Sequence, residues 1–238
     1  MPTSFTLPIE YFLSEGRDHL RSCLSVAFNA AVRHDIAKLI IFTAKGDGLK
    51  IALDEFCGQP EFSHIHLIGV TFPLGKEFTD RDKKRVTVEI APADAELFRK
   101  AGVQLVRAHL PFDPINSRFR SNGVLGQDAS LVGEVLSIFG GSMSLCVQAA
   151  LMACDAGEVH FGEHAISMTS DTAILARVAP TRMLLTDFIV REVICKPAVM
   201  TIGKGEKPIS LPEPAQEEKS QSVAPTKELS DGGTIPTE

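Results

Sequence analysis

The stretch of this chain best equipped to meet an anion is Thr43-Ala44-Lys45-Gly46-Asp47-Gly48. It follows the β-branched apolar run Leu39-Ile40-Ile41-Phe42 and precedes Leu49, Ala52, Leu53 and Phe56, which recur at helical spacing. Strand, glycine-containing turn and helix in that order form half of a βαβ unit. The first amides of a helix lack a carbonyl partner within it, and the peptide dipoles leave partial positive charge there. Thr43 adds a hydroxyl and Lys45 a charge, while Gly46 and Gly48 let the backbone approach a phosphate with no Cβ in the way. Asp47 reads as a helix cap rather than a catalytic acid. The plainer reading is an ordinary βα turn.

Other chemistry-bearing residues carry less. His64 and His66 alternate onto one strand face, but no third metal ligand is in view, so they read as core or edge histidines. His160 and His164 flank Phe-Gly-Glu and read as loop residues. Cys195 stands beside Lys196, which would lower a thiol pKa; a plain strand-end cysteine is the simpler assignment. No Gly-x-Ser-x-Gly, Walker loop, GxGxxG or paired-carboxylate motif is present.

The elements that must position these groups alternate as in an α/β protein. Pro8 to Leu13 reads as a leading strand or extended arm, and Arg17 to Arg33 as a helix with Leu20, Leu24, Ala27 and Ala31 on one face. After the first central strand, the helix behind the turn runs to about Cys57, where Gly58-Gln59-Pro60 ends it. His64 to Phe72 reads as a strand buried on both faces, with Thr71 near its end. Gly75 to Arg85 is polar and reads as a solvated loop or lid. Pro92 to Ala101 is a short helix and Val103 to Val106 a third strand. His109 to Gly126 is irregular and contains Arg118 and Arg120; a loop of that length in a compact domain is often functional.

Leu131, Val132, Val135, Leu136 and Phe139 form a helical stripe. Gly140-Gly141 separates it from Ser142 to Cys154, which is apolar nearly all round and reads as a central buried helix. Gln148, its one large polar interior residue, is expected to satisfy neighbouring backbone. Ala165 to Met168 and Thr172 to Val178 are joined closely enough for antiparallel pairing. Phe188 to Ile194 is a further strand.

Among 238 residues, 44% are hydrophobic, enough for a packed core, and no run approaches the roughly 20 apolar residues of a membrane span. The opening residues lack a basic segment followed by an apolar one, so no signal peptide is expected. Five cysteines without a CxxC pair read as reduced, mostly buried thiols in a cytoplasmic protein. The net charge of −6 and the scarcity of Trp and Tyr argue against a nucleic-acid partner. Gly203 to Glu238 holds five prolines, seven acids and four lysines, with no aromatic residue. The expectation is a domain over residues 1–202 followed by a disordered acidic tail, 203–238.

Three stretches resemble the C-terminal domain of pyruvate kinase, and more closely the stand-alone proteins similar to that domain. They are Tyr11-Phe12 with Leu39 to Ala52, Cys146 to Gly157 (CVQAALMACDAG), and Ala165 to Pro180 (AISMTSDTAILARVAP). The resemblance implies a three-layer α/β/α domain whose mixed, mostly parallel sheet has about five strands and one antiparallel edge strand. It further implies a phosphorylated small molecule held between Thr43–Gly48 and a second loop, Ser167 to Thr172, which includes Thr169, Ser170 and Asp171. Thr71 and Arg118 join the candidate binding set. This chain departs from the family in having Gly48 where a hydroxyl is usual and no glycine in the second loop. The catalytic barrel of pyruvate kinase is absent, so kinase activity is not implied.

Two function classes follow. One is a binding or regulatory module for a phosphorylated metabolite or mononucleotide, flavin mononucleotide among the candidates. The other is an enzyme of unknown reaction using such a cofactor. A structural oligomerisation unit with a vestigial site is a third, and a homo-oligomer is compatible with all of them.

Overall fold

A computed structural model describes residues 4, 6–79, 83–113 and 127–198. The loop residue Arg118 and the acidic tail 203–238 lie outside the described residues. The chain folds as α/β, with helices covering both faces of a mixed sheet. In chain order the main elements are β1 (Glu10–Phe12), α1 (Leu20–Arg33), β2 (Lys38–Phe42), α2 (Asp47–Glu55) and β3 (His66–Thr71). They continue with β4 (Glu77–Thr79), β5 (Arg85–Thr87), α3 (Pro92–Lys100), β6 (Gln104–Arg107), α4 (Gln127–Ser137) and α5 (Met143–Asp155). The last are β7 (His164–Met168), β8 (Ala173–Arg177), α6 (Leu184–Asp187) and β9 (Ile189–Pro197).

The main sheet has seven strands, in the order β1-β9-β8-β7-β2-β3-β6, rather than the five that the resemblance implied. The extra width lies partly at the β1 edge, where Glu10 to Phe12 add in parallel to Cys195 to Pro197. The one antiparallel strand is also not at an edge. β8 runs against both β7 and β9, and β9 then returns to the common direction, so the reversal is enclosed within the sheet.

Alternation along the strands explains the two cores. Leu39 and Ile41 of β2, with Leu67, Ile166 and Met168 of its neighbours, face Leu24, Phe28, Leu49 and Phe98 from α1, α2 and α3. Ile40 and Phe42, with Ile68, Val70, Ala165 and Ile174, face α5 on the other side. α5 buries every residue from Cys146 to Ala153, which is why its sequence is apolar all round. Gln148 does what its isolation in that helix requires: its Oε1 accepts the Phe112 amide at 2.9 Å.

The polar stretch after Gly75 is not a loop throughout. β4 and β5 pair antiparallel as a small separate hairpin. Phe78 anchors it by an edge-on contact with Phe72, ring centroids 5.1 Å apart, and Lys76 pairs with Asp113. The charges from Arg81 to Arg85 mask the short alternation that builds it.

Ala150 is fully buried against the sheet. An Ala150→Asp change would place an unpaired charge there and should cost several kcal/mol. The expected outcome is loss of soluble expression; a soluble variant with an unchanged melting midpoint would contradict the packing of α5.

Candidate functional site

A cleft of ≈190 Å³ opens where the carboxyl ends of β2 and β7 meet. The connections through α2 and α3 step outward from β2 to β3 and β6, over one face. The connection through α4 and α5 returns to β7 on the other side of β2, over the opposite face. Such a reversal leaves a crevice beyond the strand ends, the usual ligand position in open α/β sheets.

The two predicted loops do meet there. Phe42, Thr43, Ala44, Asp47 and Gly48 form one wall, and Thr169 and Ser170 face them. Between these walls lie residues that sequence reasoning missed: Arg17 from the 3-10 turn before α1, Leu20 from its start, Phe72 beyond β3, and Ser142 and Leu145 from the start of α5. Two helix N-termini, from opposite faces of the sheet, therefore open on one cleft. Gly140-Gly141 was the signal for the second, because a glycine pair ahead of a buried helix marks a backbone that must pass close to something. Here it passes Thr172 and Pro197, which a Cβ on Gly141 would strike, and its φ of +58° is left-handed.

Other predicted members serve different ends. Lys45 is exposed and does not line the cleft. Gly46, at φ +94°, has the Phe98 ring where a Cβ would stand, which accounts for the glycine by packing. Its amide donates to Thr43 Oγ1 at 3.0 Å, so that oxygen is already engaged as an acceptor. Thr71, next to the lining residue Phe72, is 2% exposed and not itself part of the lining, and its Oγ1 has no hydrogen-bond partner among the described residues. Ser167 is buried behind the site, donating to the Cys146 carbonyl at 2.7 Å.

Asp171 and Thr172 hold the walls rather than line them. Asp171 is 3% exposed. One carboxylate oxygen accepts the Gly16 amide at 2.8 Å, one residue before Arg17. The other accepts the Thr172 hydroxyl at 2.9 Å and the Thr169 hydroxyl at 3.4 Å. Thr172 Oγ1 in turn accepts the Ser142 amide at 2.9 Å, at the start of α5. One short chain of hydrogen bonds thus ties the Thr169–Ser170 wall to the segments that bring Arg17 and Ser142 to the cleft.

Three buried thiols sit behind this network. Cys23 and Cys195 approach to 3.4 Å, and Cys146 lies with its sulfur 3.4 Å from the Thr172 carbonyl. The hydrogen bond to Cys195 and burial hold the Cys23 thiol well above its ordinary pKa, and burial does the same for Cys146. The Lys196 ammonium donates to the Phe139 carbonyl at 2.6 Å. His64, His66, His160 and His164 are all exposed. Among the described residues no group of three or more His, Cys, Asp or Glu is placed to hold a metal, and no helix is long and apolar enough to cross a membrane. No protein-family model matches the chain.

The raised thiols fix the sign of an alkaline effect. Below about pH 8.5 they are neutral whether the chain is folded or not. Above it the unfolded chain loses protons that the folded one keeps, so stability falls as pH rises, by at most about 1.4 kcal/mol per pH unit and per thiol. Urea midpoints should therefore decline from pH 8.5 to 10.5, less steeply in a Cys146→Ala variant; equal slopes would show that Cys146 is not the group concerned.

Proposed function

We propose that this domain binds a small phosphate-bearing metabolite in the cleft between Thr43–Gly48 and Thr169–Ser170. The observation that carries the proposal is the convergence of two helix N-termini and Arg17 on one concave site. First-turn amides of α2 and α5 supply directed donors with partial positive charge, and Arg17 supplies a full one. The hydroxyls of Ser142, Thr43 and Ser170 stand beside them. Phe42, Phe72, Leu20 and Leu145 give the same cleft an apolar wall. The resemblance to the pyruvate kinase C-terminal domain supports the same assignment.

Size and chemistry narrow the ligand. The cleft's ≈190 Å³ lies below the roughly 300 Å³ at which ordinary small-molecule pockets begin. A compact phosphomonoester fits that space, whereas flavin mononucleotide would leave its ring system outside. Among the described residues, the lining offers one carboxylate, Asp47, and no histidine, cysteine or lysine. Such a lining holds an anion rather than moving a proton or forming a covalent intermediate.

Ser170 is the position to test, because it lines the cleft and is only partly buried. Gly46→Glu and Thr43→Val would disturb packing or the Gly46 amide first. A thermal-shift panel of inorganic phosphate, sugar phosphates, adenine nucleotides and flavin mononucleotide should find at least one ligand that raises the wild-type midpoint. Saturation at a hundredfold over Kd corresponds to about 2.7 kcal/mol, a shift of several degrees. Ser170→Glu should keep its own midpoint and lose the shift. A panel without any stabilising ligand, or an undiminished response in Ser170→Glu, would defeat the proposal.

A further inference from the structure

Arg17, the one cation lining the cleft among the described residues, is not waiting for a ligand: it is ion-paired with Asp47, which lines the same cleft from the first turn of α2. Resting on the anion reading above, we infer that the Asp47 carboxylate is an internal stand-in for the ligand's phosphate, and that binding proceeds by exchange of Arg17 from Asp47 to the incoming anion. Asp47 occupies the electrostatic position a phosphate would take. It is an anion at the positive end of α2, within reach of the guanidinium. The two side chains are 66% and 48% exposed, so the pair is held weakly enough to exchange. The guanidinium can move without disturbing the fold, because what fixes this part of the chain is the Gly16 amide on Asp171.

The exchange makes Asp47 a determinant of affinity and specificity. A ligand must outbid a carboxylate already in place, which filters out weakly charged anions. Once Arg17 has turned away, Asp47 is left as a free acceptor at the rim. Removing its charge frees Arg17 in advance.

Inorganic phosphate is the probe, titrated at low ionic strength by calorimetry or phosphorus NMR into the full chain. The set is wild type, Asp47→Asn, Arg17→Gln and the double variant, with circular dichroism to confirm each fold. Asp47→Asn should bind phosphate about fivefold more tightly than wild type, and Arg17→Gln about fivefold more weakly, the scale of one exposed ion pair. In the Arg17→Gln background the gain from Asp47→Asn should shrink to under about twofold, since the benefit acts through Arg17. If wild type binds phosphate and Asp47→Asn binds it equally or less well, the exchange is overturned while the anion site stands. A full gain that persists without Arg17 also overturns it, reducing Asp47 to a simple repelling charge. If no variant binds phosphate, the anion site itself fails, and the exchange with it.

Discussion

The buried carboxylate of Asp171 is the constraint on which the site depends. A carboxylate taken out of water must find donors, or the cost runs to several kcal/mol. Asp171 finds them in three separate places: the backbone before α1, its own hairpin turn, and the hydroxyl of Thr172. Thr172 passes the connection on to the start of α5. Elements from distant parts of the chain are thereby tied to one group of atoms. The donors are short backbone amides and hydroxyls rather than a flexible lysine or arginine, so the tie is stiff as well as strong. The Thr169–Ser170 wall and the segments that bring in Arg17 and Ser142 hold their places through this shared buried partner.

Much of the fold could be read from the residues. Leu39 to Phe42, the buried helix around Cys146 to Ala153, and the hairpin across Thr169 to Asp171 all stand in the structure as their patterns indicate. These are cases in which burial alone sets the pattern, and burial is what hydrophobic periodicity reports. The seventh strand's width and the enclosed position of β8 were not legible, because strand order depends on which edges meet, not on any local pattern.

The site was legible by halves. Thr43 to Gly48 and Thr169 to Ser170 stand out in the sequence, since βα turns at strand ends advertise themselves through glycine and hydroxyl residues, and parts of both loops line the cleft. Arg17, Ser142 and Leu145 do not, because nothing nearby in sequence marks a residue that reaches the cleft from a separate element. Lys45 shows the complementary limit: its charge is visible in sequence, but its direction on the turn, outside the cleft lining, is not. Gly46 shows that a glycine in a phosphate-like loop can owe its identity to a phenylalanine packed behind it.

The enclosed reversal of β8 puts a short-range pairing beside a long-range one at the edge of the cleft. β7 and β8 are joined by a turn of a few residues, so their pairing closes a short loop and is a fast, local event. The pairing of β2 with β7 joins Leu39 to Ile166, far apart in the sequence, and requires the intervening chain to be gathered. The loop at the end of β7 is therefore set by a short-range hairpin, whereas the two loops that line the cleft meet only across the long-range pairing of β2 with β7. The cleft lies along that seam, so whatever loosens the β2–β7 pairing parts Thr43–Gly48 from Thr169–Ser170.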